Sequence, residues 1–381
     1  MRKIFTIILI CTILSYTIIP KRFTVYAAEK ELSTCSVLIE ADNKVIISSN
    51  DENKIVPIGV MAKLMTIYLV AEEISQNRLS VNDVLKTSAN ANSVKGATIW
   101  LMPGEEITVD ELLKAVIIGN ANDASVVLAE RISETEEKFT EKMNKTAQQL
   151  GMLNTTFTNC NGYYDDEKQL STAYDLALLC SELVKYDFLN NYFTCWRDYV
   201  RDNQTELVNT NELVKSYKGI IGFKTSYTES SGYCTAVAAE REGVTYISVV
   251  LGCEDKSDSC SKAKSLLDTA FSNYKVITPE PPKGIPTEIS VKGGINKTVS
   301  IGYDEIRNAV LPISALNSIS SKIIITNYIY APVKKGYKVG EIQFYRNDKL
   351  MFCVDIVTKE NIDKINTTKS LNILLKNLLT F

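Results

Sequence analysis

The stretch from Val60 to Gln76, VMAKLMTIYLVAEEISQ, is mostly apolar and free of glycine and proline. It is too long for one buried strand, so it predicts a helix in the core. Outward from it the pattern changes. Upstream, residues 34–40 (TCSVLIE) and 45–49 (VIISS) are rich in β-formers and are joined by the turn-forming Ala41-Asp42-Asn43-Lys44, which predicts a hairpin. Downstream, a second apolar helix is expected over Val109–Ile118, broken at Gly119-Asn120-Ala121-Asn122-Asp123 and resuming from Ala124 to Ile132. A polar break between two apolar helices marks a loop whose backbone and side chains are placed for a purpose. Further on, Gly219–Thr225, YCTAVAAE and VTYISVVLGC predict a β-meander, and KAKSLLDTAFSNY a closing helix. Hairpin, central helices and late meander together define a mixed α/β sandwich.

With 381 residues the chain is long enough for two domains and a sizeable core. Its 42 basic and 45 acidic residues nearly balance, and no basic block is present, which argues against a nucleic-acid partner. There is no histidine at all. That excludes a Ser-His-Asp triad, a Cys-His dyad and any His-ligated zinc. Nucleophilic chemistry on this chain would need Lys, Tyr or a carboxylate as its base. No metal or cofactor is expected.

Arg2 and Lys3 precede an apolar run from Ile4 to Pro20, and Val25-Tyr26-Ala27 fits a small-residue cleavage site. Residues 1–27 therefore read as a signal peptide of an exported protein, with an uncleaved anchor as the competing reading. Of nine cysteines, Cys11 falls in that segment; Cys35, Cys180, Cys234, Cys253 and Cys353 lie in apolar runs and read as small buried hydrophobes. Cys253 and Cys260 form the one pair spaced plausibly for a bridge. Residues 28–277 are expected to form the first domain, and the proline-rich residues 278–287 a stiff linker. Short alternating runs over 288–366 predict a small all-β sandwich. In the tail, residues 367–381, Leu371, Leu374, Leu375, Leu378 and Leu379 share one face, as in an amphipathic helix suited to a membrane surface or to packing on the β domain.

Three segments carry a family resemblance that covers nearly the whole mature chain. They are Pro57-Ile58-Gly59-Val60-Met61-Ala62-Lys63-Leu64-Met65-Thr66, then Asn120-Ala121-Asn122-Asp123-Ala124-Ser125, then Gly222-Phe223-Lys224-Thr225-Ser226-Tyr227-Thr228 through Gly232-Tyr233-Cys234. In order and spacing they resemble the S-x-x-K, S-x-N and K-T-G motifs of active-site serine penicillin-recognising enzymes. The likeness is closest to the low-molecular-mass D-alanyl-D-alanine carboxypeptidases, the penicillin-binding proteins. Phe157-Thr158-Asn159-Cys160-Asn161-Gly162, Ser171-Thr172-Ala173 and Ala331-Pro332-Val333-Lys334-Lys335-Gly336 look like further landmarks of that family. The resemblance implies a penicillin-binding-protein/β-lactamase-like α/β sandwich with a second, small all-β domain.

It also implies roles. A serine one turn before Lys63 would be the nucleophile and Lys63, desolvated and neutral, its base. The second-motif serine would relay a proton, Asn122 would hold the substrate amide, and Lys224-Thr225 would bind the terminal carboxylate. Here the nucleophile position is Val60, the relay position is Asn120 and the third-motif glycine is Ser226. Loss of a nucleophile alone removes on the order of 10⁶-fold of the rate in a serine protease. The expectation is an inactive homologue that binds peptidoglycan stem peptides or a wall-synthesis protein at the outer face of the cytoplasmic membrane or in the cell wall. The alternatives are an active serine-type carboxypeptidase with a non-standard nucleophile, and a structural envelope protein. Lys63 could equally persist as a buried cation paired to Asn122 and Asn120.

Overall fold

The computed structural model describes residues 34–164, 166–366 and 368. The expected signal peptide 1–27, and all but one residue of the expected tail 367–381, lie outside the described residues. Among those described, no helix is long and apolar enough to cross a membrane.

The first hairpin forms as its pattern implies: β1 (Cys35–Glu40) pairs antiparallel with β2 (Ile46–Asn50). The long apolar run becomes a 3₁₀ turn, Gly59–Ala62, that leads into helix α1 (Lys63–Ser75). Gly59 is left-handed (φ 48°), and a Cβ there would lie 2.7 Å from Thr228 Cγ2, so the turn needs its glycine. Helix α2 (Val109–Ile117) starts in a capping box, Thr108 bonding the Glu111 N–H while Glu111 bonds back. The polar break resolves at Asn120, which is left-handed (φ 60°) and reverses the chain before α3 (Asn122–Ser133). Helices α4 (Glu136–Gln149) and α5 (Ala173–Leu183) follow, capped by Thr135 and Thr172.

A hairpin, β3 (Arg197–Val200) and β4 (Thr205–Val208), turns through three left-handed residues, Arg201, Asp202 and Asn203. The meander is β5 (Ile220–Thr228), β6 (Gly232–Arg241) and β7 (Val244–Cys253), closed by α6 (Lys256–Asn273), which Asp255 caps. These strands and the first hairpin make one five-stranded sheet in the order β2-β1-β7-β6-β5, with β5 at an edge. Alternation sorts its side chains: Val37, Ile39, Ala236 and Ala238 pack into the helical core of α1, α2, α3 and α5, while Leu38, Val237 and Ala239 pack against Ala263, Leu267 and Ala270 of α6. At about 25 cal/mol per Å² of apolar surface, this double burial supplies most of the force holding the layers together.

The expected Cys253–Cys260 bridge does not form: the described cysteines are all free thiols. The six residues between them are not a loop, because α6 begins at Lys256 and puts Cys260 in its second turn.

Beyond α6, β8 (Tyr274–Ile277) pairs with β11 (Ala309–Pro312), the intervening chain supplying β9 (Glu288–Lys292) and β10 (Thr298–Tyr303). With β12 (Ile319–Ile325), β13 (Tyr328–Tyr330), β14 (Lys338–Arg346) and β15 (Lys349–Thr358) these build a six-stranded sheet ordered β12-β14-β15-β10-β9-β13. It has its own apolar cluster, centred on Ile342, Phe344 and Ile356. The residues singled out for chemistry all lie in the N-terminal α/β part.

Candidate active site

Lys63 opens α1 and is fully buried. Its backbone N–H donates to the Val60 carbonyl, so the two residues sit one turn apart on the same side of the helix start. The amine donates to Asn122 Oδ1 at 2.7 Å and to the Asn161 carbonyl at 2.8 Å. Burial, reinforced by the like charge of Lys224, holds this amine well below the ordinary lysine range. Lys63 is thus shifted toward the uncharged form that a base needs. What it would deprotonate is absent: Val60, also buried, ends in two methyl groups.

The turn carrying Val60 is clamped from the opposite side. Gly162 is left-handed (φ 72°), and a Cβ on it would fall 2.1 Å from the Gly59 carbonyl oxygen and 2.8 Å from Val60 Cα. The Asn161 carbonyl that meets Lys63 comes from the same loop, whose Cys160 carbonyl accepts from Thr66 Oγ1 at 2.6 Å. Burial, with the Glu136 carboxylate beside it, pushes the Cys160 thiol well above its usual range, so it stays protonated.

Asn122, at the first position of α3, is the centre of the floor. Its Nδ2 donates to the Lys95 carbonyl at 2.6 Å, and its N–H to the Ala97 carbonyl at 2.7 Å. Next to it the buried Asp123 accepts from the N–H groups of Ile99 and Leu101, both at 3.1 Å, fixing the loop around the left-handed, solvent-exposed Trp100. Lys224 reaches from β5 into the same layer and donates to the Val116 carbonyl at 2.9 Å. Its environment lowers the pKa to about 7, by burial alone. The second partner expected for Lys63 is not Asn120. The Asn120 side chain leaves its Oδ1 buried and unbonded.

Asn120, Thr225 and Ser226 come together elsewhere, around a cavity of about 300 Å³ at the outer edge of β5, with Thr210, Tyr227 and Lys256 among its other lining residues. Thr225 Oγ1 donates to Thr210 Oγ1 at 2.8 Å. Thr210 is delivered by the exit of the β3–β4 hairpin, whose Leu207 packs on Gly119 beside Asn120. Ser226, 7% exposed, stands opposite Cys234 in the strand pair, and its hydroxyl meets the Cys234 thiol. Sequence reasoning gave no role to Asn161, Asp123 or Thr210. Asn161 and Asp123 fell within quoted motif segments, but Thr210 carried no signal.

The chain belongs to the D-alanyl-D-alanine carboxypeptidase family, whose model matches residues 23–255. Residues 273–364 match the C-terminal domain of penicillin-binding protein 5. Among curated relatives, the chain is 35% identical over 340 residues to D-alanyl-D-alanine carboxypeptidase DacF of Bacillus subtilis, covering 86% of this chain and 85% of the relative. It is 29% identical over 356 residues to DacC of Escherichia coli, covering 90% and 88%. Among solved structures, penicillin binding protein 5 from Haemophilus influenzae superimposes with a TM-score of 0.78 at 24% identity, over 87% of this chain and 97% of that one, which establishes the shared fold. The expected α/β core with a C-terminal β domain is therefore correct.

Proposed function

We propose that this chain is an exported carboxypeptidase homologue, at the outer face of the cytoplasmic membrane or in the wall, that binds the stem peptides of peptidoglycan without hydrolysing them. One observation carries the reading. The residue one turn before the buried base Lys63 is Val60, whose side chain offers no lone pair to a carbonyl carbon.

The rest of the site fits a scaffold that outlived its reaction. As a base Lys63 would take its proton from a donor at the Val60 position, and a methyl group is not one. Its two donated hydrogen bonds to Asn122 and Asn161 hold α1, α3 and the 157–162 loop together instead. The second-motif position, Asn120, has an amide that cannot relay a proton as a hydroxyl does. Thr225 and the free edge of β5 remain available to a peptide, since an edge strand presents unpaired N–H and C=O groups. Binding to a wall-synthesis protein, and membrane contact through residues 367–381, belong to the same proposal.

Intact-protein mass after incubation with a penicillin tests it, with Val60→Ser and the triple variant Val60→Ser, Asn120→Ser, Ser226→Gly alongside. The wild-type mass stays unchanged, and the triple variant gains one penicillin. A gain on the wild-type chain overturns the reading, because some other side chain would then be the nucleophile.

A further inference from the structure

Trp100 is 73% exposed and left-handed (φ 57°), a conformation that a bulky side chain keeps only where its surroundings impose it. Here the backbone is held on both sides. The Ile99 and Leu101 N–H groups donate to the buried Asp123, the Ile99 carbonyl accepts from Arg201 at 2.9 Å, and the Leu101 carbonyl accepts from Asn92 at 2.8 Å. Arg201 also grips Glu105 at 2.7 Å, and Glu105 accepts from the Met102 N–H at 2.9 Å. Side chains from α3, from the tip of the β3–β4 hairpin and from residues 92 and 105 thus fix the chain under one indole. That indole joins no apolar cluster among the described residues. A strained residue held this firmly and left exposed points to a ligand rather than to the core.

Its place says which ligand. The same loop borders the floor of the cleft, because its Lys95 and Ala97 carbonyls accept hydrogen bonds from Asn122. Gly96, between them, lies so close to the half-exposed Tyr163 ring that a Cβ would fall 2.8 Å from it. Trp100 follows Ala97 by three residues, at most about 11 Å of extended chain. A stem peptide of about five residues spans at most about 18 Å, and its far end is joined to a sugar. Trp100 therefore lies inside the radius within which a peptide bound in the cleft must place its glycan. The charges that follow Trp100 in the chain are paired, Glu105 with Arg201 and Glu106 with Lys86 at 3.9 Å. A segment made for a membrane surface would instead set a Lys- and Arg-rich face beside its Trp. A sugar ring is uncharged, and its C–H bonds, polarised by the neighbouring oxygens, meet the electron-rich face of an aromatic ring.

We propose that Trp100 is a glycan-contact residue, stacking on a sugar ring of the strand from which the bound stem peptide hangs. The inference rests on reading the cleft as a stem-peptide site, and it extends the ligand of that site from the peptide to the sugar.

The test is isothermal titration calorimetry of the full chain with an N-acetylglucosaminyl-N-acetylmuramyl pentapeptide and with the same pentapeptide free of sugar. The sugar-bearing ligand binds the wild-type chain about fivefold more tightly. Trp100→Gly removes the ring and suits the left-handed backbone. In that variant the two affinities fall within about twofold of each other, while the free peptide binds as before. Trp100→Phe keeps most of the gain. Trp100 and Trp196 are the two tryptophans of the chain, so Trp196→Phe leaves Trp100 as the sole indole. Its emission moves to shorter wavelength with the sugar-bearing ligand and stays in place with the free peptide. Equal affinities in the wild type, or a gain unchanged in Trp100→Gly, overturns the inference while the peptide-binding reading stands. An emission shift caused by the free peptide also overturns it, since the peptide and not the glycan would then cover the indole. If neither ligand binds the wild-type chain, the inference falls together with that reading.

Discussion

Two parts of the cleft, the floor under α1 and the cavity at the edge of β5, handle their polar groups in opposite ways. On the floor, Lys63, Asn122 and the loops at residues 95–97 and 160–162 bond to one another at 2.6–2.8 Å, with Asn161 Nδ2 left over. At the edge, Asn120 Oδ1 stays unbonded and Ser226 Oγ has only the Cys234 thiol beside it, in a wall shared with Thr225. The floor is built around Lys63 and Asn122, two of the motif residues the chain retains. The edge holds two of the three it has exchanged. A catalytic lysine that no longer meets a nucleophile can still be required by the fold, whereas edge positions are free to drift toward a different ligand. That contrast makes stability the probe of the floor and binding the probe of the edge.

The floor should break hardest at Gly162. Gly162→Ala places a methyl group 2.1 Å from the Gly59 carbonyl oxygen, in a left-handed backbone that disfavours a Cβ. Overpacking and backbone strain together should cost about 3–5 kcal/mol, read as a fall in the urea midpoint. A loss under about 1 kcal/mol would mean that the clamp on the Val60 turn is loose. Next comes Lys63→Met, which keeps the length of the side chain but strands Asn122 Oδ1 and the Asn161 carbonyl. Two unpaired buried acceptors, partly offset by relief of the desolvated amine, should cost about 2–3 kcal/mol. If the variant is as stable as the wild type, the lysine's persistence is not structural.

Much of this contrast was legible in the residues, but unevenly. The helix of Val60–Gln76, the break at Asn120 and the meander each showed in hydrophobic period and length, because each element buries a continuous apolar face. The site's membership followed from motif spacing. What the residues could not show was the division of labour. That Lys63 bonds Asn122 but not Asn120 depends on the left-handed turn at Asn120, which swings its side chain away from the floor. That Thr210 reaches the cavity depends on a hairpin turning through three consecutive left-handed residues, a tertiary constraint with no glycine to announce it. The Cys253–Cys260 bridge was misjudged because a Ser/Asp/Lys-rich stretch reads as a loop, and Asp255 caps it into helix instead.

Lys224 stands between the two regions, on the edge strand but bonded into the floor, and its titration sharpens the boundary. Its folded pKa is depressed to about 7 from the unfolded value of 10.5. Below about pH 7 both states carry the proton, and the folded state bears the full cost of burying the charge. Between about pH 7 and 10 only the unfolded chain holds it, so stability from this group rises with pH, by roughly 1 kcal/mol per pH unit. Raised Cys and Tyr groups pull the other way above about pH 9, so the quantity to measure is the wild type minus Lys224→Met, by urea unfolding at about pH 7 and 8.5. The difference should grow in favour of the wild type as pH rises. A difference independent of pH would place the amine in contact with solvent or an unseen anion, and so with the edge rather than the floor.

The smallest effect tests the edge from the side of stability. Ser226 Oγ is buried with only the Cys234 thiol, a weak partner, beside it, so Ser226→Ala removes a desolvated hydroxyl and strands little. The lost van der Waals contacts of one oxygen are minor against the relieved desolvation, and the net change should lie within about 0.5 kcal/mol, on the stabilising side if anywhere. Thermal and urea unfolding of the two proteins side by side would show it. The value of so small a number is its sign. A hydroxyl that served the fold would cost 1 kcal/mol or more on removal, as Lys63 should, and Ser226 would then belong to the floor. A neutral or favourable change means the fold carries this group without using it.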